Sequence, residues 1–196
     1  MKNNLPPTNE SVLHIKNMVC PRCIMAVRQC LENLGLHPQS VELGTVLLEE
    51  PLTDELHHRI EKALAPLGFE LLDNPRAQLV EQIKTLLIDW VHYHNEPPKS
   101  NLSQYLADQL HRDYSSLSKL FSETTGTTIE KYFIAQKIER AKELIVYGEL
   151  SLNEIADRLG YSSVAYLSSQ FKSVTGLTPS YFKKLKKNKR KGLDEI

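Results

Sequence analysis

Apolar and polar residues alternate at the start of the chain, and then the period changes. From Ser11 to Lys16, Leu13 and Ile15 alternate with Val12 and His14, the pattern of a strand with one buried face. Beyond Cys20 the spacing lengthens: Ile24, Val27, Cys30, Leu31 and Leu34 recur at helical intervals, and Gly35 ends the run. Ser40 to Leu43 and Thr45 to Glu49 read as two short strands that turn at Gly44. Thr53 or Asp54 caps a helix from Glu55 to Leu67, with Leu56, Ile60, Ala63, Leu64 and Leu67 inward. Gly68 stops it, and Phe69 to Leu72 is a last strand. Pro75 to His94 is amphipathic through Leu79, Ile83, Leu86, Leu87, Trp90 and Val91, which predicts one helix with Trp90 in a core. Asn95 to Pro98 follows as a loop, and the domain boundary is expected at Asp73 to Arg76.

From there on the pattern is helical throughout. Between Ser151 and Leu185, Leu152, Ile155, Ala156 and Leu159 precede a turn at Gly160, and Leu167, Phe171 and Val174 lead to Thr175-Gly176. Ser162-Ser163 suits an N-cap and Gly176 a C-cap, so the stretch predicts two short helices with a tight corner, a helix-turn-helix. The pattern occurs twice. In Leu102 to Phe133, Ala107-Asp108 matches Ala156-Asp157, Leu110 matches Leu159, Leu117 matches Leu167 and Phe121 matches Phe171. Thr125-Gly126 matches Thr175-Gly176, and Tyr132-Phe133 matches Tyr181-Phe182. Self-similarity of this kind marks a duplicated structural unit. Between the copies, Phe133, Ile134, Ile138, Ala141, Leu144 and Ile145 keep helical spacing, which predicts a linker helix.

The β-α-β-β-α-β order of the first part is the ferredoxin-like plan. The expected fold is therefore an α+β ferredoxin-like βαββαβ module at 11–74, plus an all-α C-terminal domain with two helix-turn-helix units joined by a linker helix at 75–185. Residues 1–10 read as a flexible lead-in and 186–196 as a basic tail. Within the second domain the first helix-turn-helix is placed at about 101–126, the linker helix at about 128–146 and the second helix-turn-helix at about 151–176.

Composition changes this picture in one respect. The formal charge is zero, with 24 basic and 24 acidic residues, but residues 1–94 hold 8 Lys/Arg and 12 Asp/Glu, leaving 16 and 12 for residues 95–196. The halves are thus −4 and +4, and the second is the one suited to a polyanion. Seven of its positive residues lie in Lys183 to Lys191, which reads either as a solvated end or as an arm that touches phosphates without sequence choice.

Several motifs carry a resemblance. KIERAKELI (Lys137 to Ile145), SLNEIADRLGY (Ser151 to Tyr161), QFKSVTGLTPSYF (Gln170 to Phe182) and LSKLFSETTGTTIEKYF (Leu117 to Phe133) make Pro75 to Leu185 resemble the DNA-binding domain of AraC/XylS-type bacterial transcription regulators. The resemblance implies sequence-specific binding to double-stranded promoter or operator DNA, with RNA polymerase as a candidate partner. Its base-facing positions fall on Ser115, Ser118 and Lys119 in the first recognition helix and on Val164, Ala165, Ser168, Ser169 and Lys172 in the second. Lys119 suits guanine O6 and N7, Ser118 either kind of base edge, and Val164 or Ala165 a thymine methyl. Ser169 stands where the family often has Arg, so the second unit is short of long polar side chains.

A second resemblance lies in Met18-Val19-Cys20-Pro21-Arg22-Cys23, which is similar to the M-x-C-x-x-C loop of heavy-metal-associated domains. It implies Cys20 and Cys23 as ligands for Cu(I) or Zn(II), with Met18 packed below the loop. Soft thiolates at a helix N-terminus suit such ions on general grounds. A redox pair, and thiols with no ligand at all, are the other readings of the same motif. Asn17 stands where that family usually has Gly, and Pro21-Arg22 replaces its small or polar pair.

The seven histidines form no coherent ligand set, and no nucleophile elbow, phosphate-cradling glycine loop or paired carboxylate motif occurs. An enzyme is not expected. The absence of a long apolar run or a signal peptide leads to an expected cytoplasmic location without membrane contact. The alternative to a regulator is a metal-trafficking or metal-buffering protein whose helical half docks partners. A homodimer is a further candidate assembly.

Overall fold

The computed structural model describes residues 11–94 and 100–185. The expected lead-in at 1–10, the expected loop at 95–98 and the basic tail at 186–196 lie outside the described residues. The chain divides into two compact units, Met1–Thr85 and Leu86–Ile196.

In the first unit the elements are β1 (Val12–Lys16), α1 (Pro21–Asn33), β2 (Pro38–Glu42), β3 (Thr45–Leu48), α2 (Asp54–Leu64) and β4 (Glu70–Leu71). The strands make one four-stranded sheet in the order β2-β3-β1-β4, antiparallel throughout. Alternation decides which face is covered. Leu13 and Ile15 of β1 and Val46 and Leu48 of β3 are buried, and they share a core with Val27 and Leu31 of α1 and Ile60 and Leu64 of α2. Full burial of such side chains stabilises by about 1.5–3 kcal/mol each relative to exposure. The helix expected to reach Leu67 leaves the α-form at Leu64 and finishes as a 3₁₀ turn over Ala65–Leu67. Pro66 cannot donate to the preceding turn, which explains the change. Gly68, at φ 83°, closes it.

Helix α3 (Pro75–His92) begins with Asn74, whose side chain accepts from the backbone N–H of Arg76 at 2.8 Å. Its first half packs within the first unit. Gln78 Nε2 donates to the Leu72 carbonyl at 2.6 Å, Glu81 Oε1 accepts from the backbone N–H of Asn17 at 3.1 Å, and a Cβ added at Gly44 would stand 3.1 Å from Thr85 Oγ1. These contacts are why the division falls inside the helix, after Thr85, where the sequence suggests Asp73 to Arg76.

The second unit contains α4 (Leu102–Leu110), α5 (Tyr114–Thr125), α6 (Ile129–Tyr147), α7 (Leu152–Arg158), α8 (Val164–Thr175) and α9 (Pro179–Leu185). Helix α6 is its spine, because ten of its 19 residues are buried and they occur around its circumference. Trp90 packs edge-on to Tyr105 of α4 at 4.6 Å and against Phe133 of α6 at 5.0 Å between ring centroids. The polar residues on the spine are satisfied where they lie: Gln136 donates to Tyr132 Oη at 3.0 Å and shares a hydrogen bond with His92, and Lys142 pairs with Glu139 one turn away. Removing one member of that buried ion pair would strand the other charge.

Candidate nucleic-acid interface

Within the second unit, each of the two helix pairs, α4–α5 and α7–α8, ends one helix, turns a corner and starts a second helix that is capped by a side chain. In the first, Asp113 accepts from the backbone N–H of Ser116 and opens α5; in the second, Ser163 accepts from that of Tyr166 and opens α8. The corner is αL in both, at His111 (φ 50°) and Gly160 (φ 65°). The residue after it donates to an equivalent carbonyl, Arg112 to Ala107 at 3.2 Å and Tyr161 to Ala156 at 2.8 Å. At the far end the agreement is atom for atom. Thr125 Oγ1 donates to Phe121 O at 2.7 Å, and Thr175 Oγ1 donates to Phe171 O at 2.7 Å. Thr128 and Thr178 then cap the following helices.

Leu117, Phe121, Leu167 and Phe171 are fully buried. Phe121 meets Tyr132 edge-to-face at 5.6 Å, and Phe171 meets Phe182 in the same manner at 5.5 Å. These contacts turn the opposite sides of α5 and α8 outward. On α5 the exposed residues include Ser115 and Lys119, four apart, while Ser118 is half-buried beside Leu117. On α8 Ala165, Ser169 and Lys172 are exposed at i, i+4 and i+7, and Val164 and Ser168 are half-buried at the edge of the same face. The eight residues expected from the sequence are thus divided between one outward face of α5 and one of α8. The Ser115 hydroxyl donates to Asp113, which leaves its oxygen as an acceptor toward a ligand.

Two side chains on α8 escaped the sequence reading. Tyr166 is 51% exposed and its hydroxyl accepts from Gln170 Nε2 at 3.0 Å, so α8 carries a paired aromatic and amide beside its small residues. The available signal was the Tyr-x-x-x-Gln spacing, which brings both to one side of a helix. Tyr161, at the corner, packs its ring against Tyr166 at 5.7 Å.

Residues 106–185 match the family model described as a helix-turn-helix domain. The C-terminal unit carries a helix-turn-helix domain. Among relatives, the xylose operon regulatory protein of Escherichia coli (strain K12) is 31% identical over 137 residues, a match that covers 65% of this chain and 34% of that protein. The uncharacterized HTH-type transcriptional regulator YfiF of Bacillus subtilis (strain 168) is 27% identical over 147 residues, covering 72% and 46%. The chain therefore spans less than half the length of either relative. Among solved structures, the C-terminal domain of AraT, a response regulator from Geobacillus stearothermophilus, is 22% identical with a TM-score of 0.49, covering 57% of this chain and 88% of that one. The names of these two relatives are those of regulators.

The cysteine pair lies apart from this domain, in the first unit. Cys20 is the N-cap of α1, Pro21 takes the first helical position, and the two sulfurs are 3.4 Å apart. Burial raises the Cys20 thiol pKa, but the backbone amides of Cys23 and Arg22 outweigh it and leave the thiol below its ordinary value. Burial and the neighbouring Cys20 thiol leave Cys23 above it. Asn17 has φ 72°, a conformation that Asn tolerates better than most residues, which explains how it serves at that point of the loop. Met18 is buried in the core of the first unit. Among the described residues no group of three or more His, Cys, Asp and Glu side chains could hold a metal ion. Two thiols match a two-coordinate soft cation in number and fall short of the four donors of a closed zinc site.

Proposed function

We propose that this chain is a sequence-specific, double-stranded DNA-binding transcription regulator of AraC type. The observation that carries the reading is the repetition: two helices, α5 and α8, each capped, each anchored by a buried phenylalanine, and each with an outward polar face, packed on one spine. A recognition helix reads a major groove with residues near its N-terminus, and two on one chain suit a bipartite site with half-sites about one DNA turn, ~34 Å, apart. Ser115, Ser118 and Lys119 form the first reading set, and Val164, Ala165, Ser168, Ser169 and Lys172 the second. With Ser169 in place of a long donor, the second set works through phosphate positioning and DNA shape as much as through base edges.

The first unit is read as a ferredoxin-like module, supported by its strand order and by the two helices in one core with the sheet. Metal response through Cys20 and Cys23 is the finer form of the proposal, supported by the 3.4 Å separation of the thiols. Their number favours Cu(I) over a single-chain Zn(II) site. Work on DNA places the protein in the cytoplasm in this reading, and among the described residues no helix is long and apolar enough to cross a membrane. Contact with RNA polymerase and assembly as a homodimer belong to the same proposal as its regulatory steps.

Selection from a randomised duplex pool tests it. A bipartite motif whose binding falls with salt at a slope near −5, as about six phosphate contacts require, is expected. Binding that selects no motif would overturn the reading. Repeating the selection with Cu(I) and with Zn(II) tests the metal form separately, since an unchanged motif and affinity would remove metal response while leaving DNA binding intact.

A further inference from the structure

We infer that Cys20 and Cys23 form a thiol–disulfide exchange site, with Cys20 the attacking thiol, Cys23 the resolving one and a low-molecular-weight disulfide as the oxidant. The inference goes beyond DNA binding and does not depend on it. Three observations carry it. First, the sulfurs are 3.4 Å apart, so closing to the ~2.05 Å of a disulfide requires a movement of about 1.4 Å, within reach of side-chain rotation. Second, Cys20 is at the N-cap of a 13-residue helix, half-buried and reachable by a small molecule. Third, among the described residues no third His, Cys, Asp or Glu side chain joins the pair in a group that could hold a metal ion. Cys30, also half-buried, lies on the inward part of α1 beside the core and is the natural control.

The chemistry balances in two displacements. The Cys20 thiolate attacks one sulfur of the small disulfide; the S–S bond breaks, a mixed disulfide forms and one small thiolate leaves. Cys23 gives its proton to solvent and attacks the Cys20 sulfur, and the second small thiolate departs. The protein dithiol loses two electrons, and the small disulfide takes them up as two thiols. The loop that contains the pair is held at Asn17, whose carbonyl faces the Cys23 thiol at 3.9 Å and whose backbone N–H donates to Glu81 of α3. The reaction therefore acts on a segment tied directly to that helix.

The test equilibrates the full chain, with chelator present, in graded mixtures of reduced and oxidised glutathione, followed by acid quench, alkylation and intact-mass measurement. The expected product is a protein lighter by two hydrogens, without bound glutathione, in which Cys30 alone is alkylated. Cys23→Ser should instead accumulate one glutathione on Cys20, because the resolving thiol is gone. Stable glutathione on the wild-type pair, three alkylatable thiols in every mixture, or the same product from Cys20→Ser would overturn the inference. Circular dichroism of each variant separates lost folding from lost exchange, and the chelator keeps the outcome distinct from any metal effect. DNA binding of the reduced protein is measured independently and stands or falls alone.

Discussion

The first helix-turn-helix turns on His111 and the second on Gly160, at equivalent places and in the same αL conformation. Around these corners the chemistry diverges: the first opens its outward helix with the carboxylate of Asp113, the second with the hydroxyl of Ser163. Behind them it stays constant, down to the Thr125 and Thr175 hydroxyls that bond back to Phe121 and Phe171. Duplicated units thus keep what fixes a helix in place and vary what faces outward and what turns the chain. The same contrast holds on the outward faces, where α5 presents Lys119 and α8 presents Ser169 at the equivalent position.

The largest effects should come from the constant part. Phe121→Ala and Phe171→Ala each remove a fully buried ring and should cost about 3–5 kcal/mol, read from chemical denaturation. Unequal losses would show that the two cores are not energetic equivalents. Next is Lys119→Ala, expected to weaken binding at one base step by about 1–3 kcal/mol in competition against single-base variants. An equal loss on all sequences would make Lys119 a phosphate contact instead. The caps come third: Asp113→Ala and Ser163→Ala should each destabilise by about 1 kcal/mol, and a null result at either would sever the link between cap geometry and helix stability there. His111→Gly should relieve the αL strain that Gly160 avoids and raise stability by about 0.5 kcal/mol, whereas Gly160→Ala should lower it by a comparable or larger amount.

The smallest effect is one of acidity. Hydrogen bonding from the Ser115 hydroxyl and the Ser116 amide holds the Asp113 carboxyl below its ordinary value. A depressed folded pKa contributes stability that is present above the unfolded carboxylate range and is lost as pH falls through the folded value. The Asp113 cap of α5 should therefore weaken in acid while Ser163, which does not titrate, holds; amide exchange at Ser116 and Tyr166 against pH would report the difference.

Much of this was legible in the chain because period and punctuation agree. Strand β1 shows in the alternation around Leu13 and Ile15, and α6 in the sustained spacing from Phe133 to Ile145, which lies within the observed Ile129–Tyr147. The early end of α2 was not, since Leu67 continues the apolar period and only Pro66 argues against it. The division of α3 was also hidden: amphipathicity shows that a helix has a buried side, not that its packing partner changes along its length. Likewise, the outward faces of α5 and α8 follow from the positions of Leu117, Phe121, Leu167 and Phe171, but the Tyr166 to Gln170 contact depends on which rotamers the Tyr161 ring leaves open.

The spine also limits how such a protein can change over time. Helix α6 carries buried residues around its circumference and joins the two helix-turn-helices along the chain, so a single residue inserted into it would rotate everything beyond by about 100° and advance it by about 1.5 Å. Loops at the corners can absorb insertions, and exposed side chains can be exchanged freely. The length of the spine cannot drift by one residue, so the chain is free to revise the letters it reads while the gap between the two words stays fixed.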